Sequence, residues 1–269
     1  VHQRSRRSPP EGVTLSRQDQ PNPSPPGVQK LRLRYAKRGR LRFTSHRDIA
    51  RAFERALRRA HVPMAFSQGF NPHPKISWIG AAPTGAASEA EYVEIQLIEV
   101  VDPAGLVAEL DRAMPPGLDL LEAVAAESGS LADRIDASRW QIEVPGVAPG
   151  DLAAAVDALM ALEVAEVERL TKNGMRTINV RPAVVGALTR EVSADGEPYG
   201  ILDVVVRQTT PAVRPDDVLS ALRVVAALEP PVPAKATRMA QGRLDDGGGI
   251  ADPLAPDRGP EPPRDDVHS

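Results

Sequence analysis

Between residues 29 and 126 the spacing of apolar side chains switches from two to about four and back, and then does so again. This order restricts the fold more than any other feature of the sequence. Leu31, Leu33 and Tyr35 alternate with Arg32 and Arg34, and Leu41 and Phe43 alternate with Arg40 and Arg42. With Gly39 between them at a turn, the two runs read as a strand pair, apolar on one face and Arg-lined on the other. A helix is predicted over 46–60, where Ile49, Phe53 and Leu57 recur at every fourth position. Ser45 suits its N-cap, Asp48 can close a capping box, and Pro63 ends it. A short strand at 64–67, a Pro-broken loop at 68–75, a strand near 76–79, a glycine-bearing turn at 80–88 and a strand of about 90–100 come next. Asp102 and Pro103 open a helix to Met114, and 118–124 reads as a strand.

With the first strand pair and the pieces at 64–79 merged, the order is β-α-β-β-α-β. Helices covering one face of such a sheet make an α+β, ferredoxin-like domain, placed at 29–126. A Ser/Gly/acid stretch near 126–137 reads as a joint. The second half repeats the order over 138–240, without sequence identity to the first. Its strands are predicted at 139–144, 164–170, 175–182, 200–207 and 235–240, and its helices at 150–161 and 215–227. The expected architecture is therefore two tandem ferredoxin-like domains. Residues 1–28 and 241–269 are Pro-, Gly- and charge-rich without apolar periodicity and read as disordered tails.

A net charge of −3 conceals a strong asymmetry. Residues 30–75 hold 13 Lys and Arg against 2 acids, whereas 76–269 carries a net −16. A basic block on an acidic remainder points to a polyanion partner, because each phosphate neutralised releases counterions. Six of the nine aromatic residues also lie within 35–78, and single-stranded RNA is held by aromatic stacking beside a basic groove. The RNA-contacting set read from the first half is Arg32, Arg34, Arg42, Arg47, Arg51, Arg55, Arg58, Arg59, Phe70, Asn71, His73, Lys75 and Trp78. Within Ser67-Gln68-Gly69-Phe70-Asn71-Pro72-His73-Pro74-Lys75, residues before proline are pushed to extended conformations, so Asn71, His73 and Lys75 are expected to line one side of a stiff segment. His46 stands in the first turn of a helix, where backbone N–H groups attract anions, and His46 and His73 are the candidate acid–base residues. In the second half Arg176 and Arg181, within Arg176-Thr177-Ile178-Asn179-Val180-Arg181-Pro182, are candidate contacts.

The chain has no cysteine, which rules out disulfides and a Cys-ligated cluster carried by the chain itself. The histidines lack a recognisable metal spacing, so neither a metal nor a cofactor is expected. No signal peptide or membrane-length apolar run is read, and a cytoplasmic setting is expected.

The runs Leu41-Arg42-Phe43-Thr44-Ser45-His46-Arg47-Asp48, Arg55-Ala56-Leu57-Arg58-Arg59-Ala60 and Ser67–Lys75 resemble the bacterial radical SAM-linked protein family, which is defined by a domain of unknown function. The resemblance covers about 30–240. It extends to Arg176–Pro182, with Asn179 in this chain where an acid is common. It implies a partnership with a separate radical SAM protein, proximity to RNase E/G, and a part in RNA or ribosome metabolism. The leading expectation is an RNA-binding accessory protein in tRNA or rRNA modification or ribosome metabolism. A metal-independent endoribonuclease using His46 and His73 is one alternative, with a fold-level analogy in the CRISPR repeat-processing endoribonucleases. A protein-interaction scaffold is the other.

Overall fold

The computed structural model describes residues 25–127, 129–194 and 197–259. The remaining parts of the two expected tails, 1–24 and 260–269, lie outside the described residues. The fold is α+β: four helices, one mixed sheet of nine strands and a separate two-stranded hairpin among the described residues.

In the first half β1 (Gln29–Lys37), α1 (His46–Arg59), β2 (Ile76–Ile79), β3 (Ala87–Leu97), α2 (Pro103–Ala113) and β4 (Leu118–Ala125) follow in order. β1 lies between β3 and β4, antiparallel to both, and β2 pairs antiparallel with β3. Leu31, Leu33, Tyr35, Val93 and Ile95 meet Ile49, Phe53 and Leu57 of α1 and Leu106 and Leu110 of α2 in one core. Each such side chain contributes about 1.5–3 kcal/mol by leaving water. Ser45 caps α1 by accepting from the Asp48 N–H at 3.2 Å, and Asp102 caps α2 by accepting from the Gly105 N–H at 2.8 Å. The predicted strand at 41–43 is instead a 3₁₀ turn, Gly39–Phe43. Both edges of β1 are already taken by β3 and β4, so no edge is open for a hairpin partner.

The second half contains β5 (Ala137–Val144), α3 (Pro149–Met160), β6 (Glu166–Thr171), β7 (Gly174–Asn179), β8 (Val184–Ala194), β9 (Glu197–Arg207), α4 (Pro215–Ala226), β10 (Lys235–Leu244) and β11 (Ile250–Ala251). The main sheet runs β4-β1-β3-β10-β5-β9-β8, with β2 on β3 and β11 on β10. β3 and β10 pair in parallel at Ala87–Thr237 and Ser88–Arg238, so one sheet passes through both halves. The runs at 164–170 and 175–182 form the separate β6–β7 hairpin, and the sheet position they were expected to fill is held by β8, a strand the sequence reading lacks. The core of the second half joins Trp140, Ile142, Leu202 and Val204 to Leu152 and Leu159 of α3 and Val218 and Leu222 of α4.

The C-terminal tail expected from 241 is corrected as far as 259. β10 continues to Leu244, β11 returns along it, and a 3₁₀ turn at Ala255–Asp257 follows. Leu254 is fully buried against Ala90, Tyr92, Val124 and Leu131, on the sheet face opposite α1 and α2. Gly242 permits this return, since a Cβ there would collide with the Ala251 carbonyl. The predicted joint near 126–137 is likewise anchored, through buried Leu131.

Candidate functional site

The arginines of β1 point to the sheet face that the C-terminal segment covers. Arg32 is 1% exposed. Its Nε donates to Glu94 at 2.9 Å, its Nη1 to both Asp257 oxygens at 2.8 and 2.6 Å, and its Nη2 to the Gly129 carbonyl at 2.5 Å. Arg134 donates to the same Asp257 carboxylate at 2.6 Å. Burial pushes the Asp257 carboxyl up, but hydrogen bonds from Arg134 and Arg32 outweigh it and hold the group below the usual carboxylate range. Arg34, half-buried on this face, lies near Tyr92, and its Nε is buried without a partner among the described residues. Arg32 therefore leaves the set of nucleic-acid contacts: its charge is neutralised and its surface covered.

The helix behaves differently. Arg47, Arg51, Arg55, Arg58 and Arg59 are all exposed on α1, while Ile49, Phe53, Ala56 and Leu57 fill the face against the sheet. Among the described residues the only carboxylate on these five is Asp48, 3.6 Å from Arg51 at the surface. Arg59 donates to the Ala113 carbonyl at 3.5 Å. From Arg47 to Arg59 the row runs about 18 Å along the helix. Just before the helix, the half-buried Arg42 guanidinium lies 4.6 Å from the centre of the exposed Phe43 ring.

His46 and Trp78 come together at the N-terminal end of α1, with ring centroids 5.1 Å apart in an edge-to-face arrangement. Trp78 also meets Phe53 at 5.3 Å and Tyr35 at 6.1 Å, which fixes the indole in place while leaving it half exposed. His73 lies elsewhere. The 67–75 loop is closed by the Ser67 N–H donating to the His73 carbonyl at 2.8 Å and the His73 N–H donating to Ser67 Oγ at 2.9 Å. From His73 to Trp78 the chain is extended, about 16 Å at a strand's rise per residue. His46 and His73 therefore do not form a paired acid–base site. His73 and Lys75 do share a groove, with Lys30, Ser67 and Glu94, whereas Asn71 does not line it. Phe70, 86% exposed, and Asn71 project from the loop.

Arg176 is exposed on β7. Arg181 is half-buried and structural: it donates to the Val184 carbonyl at 2.9 Å and to the Met160 carbonyl, at the end of α3, at 3.2 Å. Asn179 Oδ1 accepts from the Ala165 N–H at 3.0 Å, which holds the start of the hairpin.

The sequence reading misses a cleft of about 410 Å³ where the two halves meet. Both tryptophans of the chain, Trp78 and Trp140, line it, together with Arg207, Arg214 and Arg238. No Asp or Glu lines it among the described residues. Arg207 at the end of β9 and Arg214 at the start of α4 are exposed and have no ion pair among the described residues. Arg238 is buried, paired with Glu91, and stands 5.4 Å over the Trp140 ring. Lys37, also buried beside Glu91, has its ammonium pKa lowered by burial, with Arg238 adding to the effect and Glu91 opposing it. Gly80 at the rim has φ +53°, and a Cβ there would stand 2.9 Å from Gln241 Oε1. Asp217 accepts from the Arg214 N–H at 2.8 Å and from Arg169 of β6 at 2.6 Å, which ties the hairpin to the start of α4 beside the cleft. In the sequence, the one signal for this cleft is the pair of tryptophans. That both line one cleft depends on strands far apart in the chain.

Residues 30–215 match the family described as an uncharacterized protein conserved in bacteria, DUF2344, and the chain belongs to that family. No curated protein matches it. Among solved structures, the crystal structure of an unknown protein from Galdieria sulphuraria is similar at 16% identity, over 79% of this chain and 99% of its own, with a TM-score of 0.22. Among the described residues no helix is long and apolar enough to cross a membrane.

Proposed function

We propose that the protein is an RNA-binding accessory protein that holds RNA along the exposed face of α1. One observation carries this reading: four of the five arginines on that face, Arg47, Arg55, Arg58 and Arg59, have no carboxylate partner among the described residues. By contrast, Arg32 and Arg38 of the first half are paired, Arg38 with Glu89 and Asp119. An unneutralised cationic row suits a phosphate backbone, and Arg offers it bidentate donors. Phe70 in the Ser67–Lys75 loop and Arg176 on the hairpin are further exposed groups available to the same partner. The resemblance to the radical SAM-linked proteins extends the reading: the RNA, a tRNA or rRNA, would be presented to a separate radical SAM enzyme, in RNA modification or ribosome metabolism near RNase E/G.

The same reading takes each half as a ferredoxin-like unit. The strand orders β4-β1-β3-β2 and β10-β5-β9-β8, antiparallel throughout and each interleaved with two helices, support it. Fluorescence anisotropy with labelled tRNA and rRNA fragments tests the function. Affinity should fall steeply with salt, log K declining by about 0.7–0.9 per log unit of salt for each phosphate contact. Absence of salt-dependent affinity for any structured RNA would refute the proposal.

A further inference from the structure

We infer that the cleft between the two halves receives a single nucleotide of the bound RNA, its base against Trp78 and its phosphate on Arg207 and Arg214. The inference deepens the RNA reading and rests on it for the polymer to which the nucleotide belongs.

The cleft is selective in charge. Its lining brings three guanidinium groups and no carboxylate among the described residues, so it repels cations and favours an anion. The three arginines are not equivalent. Arg238 is buried and spent on Glu91, and with Trp140, itself 4% exposed, it forms the floor. Arg207 and Arg214 are exposed at the wall, with charges unmatched by any carboxylate among the described residues, and are free to donate to a phosphate.

The cleft is also selective in shape. Its volume of about 410 Å³ falls in the range that holds a small ligand. Trp78 presents a half-exposed indole held by three ring contacts, so a planar base meets a surface already in place. Ser138 and Gln208 supply hydroxyl and amide groups for base edges. A phosphate without a base would leave the indole unused, and a neutral aromatic would leave two cations unused.

Position connects the cleft to the helix. Trp78 lines it on one side and touches His46, the first residue of α1, on the other. A strand following the arginines of α1 toward its N-terminus arrives at Trp78, where one nucleotide can leave the stack and enter. Single-stranded segments and loops give up such a nucleotide at the least cost.

Because both tryptophans of the chain line the cleft, intrinsic fluorescence reports on it directly. The full-length protein is titrated with the four nucleoside 5′-monophosphates and with inorganic phosphate, while labelled tRNA is followed in parallel by anisotropy. A saturable change in tryptophan emission is expected with at least one monophosphate, with a far smaller response to inorganic phosphate. The Arg207→Ala, Arg214→Ala double variant should weaken that response by about tenfold or more, the effect of losing charge-assisted hydrogen bonds. Circular dichroism and the unfolding midpoint of that variant should stay as in the parent, since both side chains are exposed. RNA that binds by anisotropy while tryptophan emission stays flat for RNA and for every monophosphate would overturn the cleft and leave the RNA reading standing. A response to monophosphates without RNA binding would establish the cleft as a nucleotide site and overturn its place on an RNA. A flat response together with no RNA binding would end both.

Discussion

Arg32 on β1 and Arg55 on α1 belong to one basic block in the sequence, yet they have opposite fates. Arg32 is enclosed, with Glu94 and Asp257 on its guanidinium. Arg55 is exposed with no ion pair among the described residues. The difference is set by what covers each element. β1 sits mid-sheet with a core on one face and the C-terminal segment on the other, so the charge of Arg32, enclosed there, is paired. α1 has one face on the sheet, and its arginine face is exposed among the described residues. A count of basic residues therefore overstates the binding surface, and the ion-pair partners decide which of them can meet a ligand.

The largest effect should come from breaking the buried side of this contrast. Asp257→Ala leaves Arg32 and Arg134 without their shared carboxylate and should cost about 3–5 kcal/mol in urea unfolding. Arg55→Ala should change stability by no more than about 0.5 kcal/mol. Similar losses in the two variants would erase the distinction between paired and free arginines. Next in size is charge reversal of the free side. The Arg51→Glu, Arg55→Glu, Arg58→Glu variant should lower RNA affinity on the order of 100-fold, with its unfolding midpoint near the parent's.

Acid should separate the two sets as well. The Asp257 carboxyl is held below its unfolded value, so its share of stability is complete above about pH 4, the unfolded carboxylate range, and is lost as pH falls through the folded-state value. Stability measured from pH 6 down to pH 2 should fall less steeply in Asp257→Asn than in the parent. An identical pH dependence in both would mean the carboxylate is not held low. The smallest effect should follow from one arginine removed at a time. Arg55→Ala should reduce affinity a few-fold, equally across RNA sequences, and lower the salt slope by about 0.7–0.9.

Elements with local signals were legible in the sequence. The four helices lie within a residue or two of their expected bounds, because caps such as Ser45 and Asp102 and the Ile49–Phe53–Leu57 stripe are written in neighbouring residues. The strand alternation in 31–35 was equally legible. Its outward face was not, since exposed and buried arginines leave the same period-two pattern. The partner that buries Arg32 is 225 positions away, in a segment whose composition resembles a tail. β8 is not legible because the Arg176–Pro182 run just before it, which forms the hairpin strand β7, carries the apolar alternation expected of a sheet strand. The cleft is hidden for a similar reason: Trp78 and Trp140 line one cleft only when β10 joins the two halves.

The central claim is that the unpaired arginines of α1 hold RNA. Crosslinking the protein to RNA in cells and sequencing what is recovered, with the Arg51, Arg55, Arg58 charge-reversal variant alongside, tests it most directly. The account predicts one enriched RNA class with the parent protein, lost in the variant. Equal recovery from both, or no RNA above background from the parent, would contradict it and leave the α1 face to be explained as a protein-docking surface.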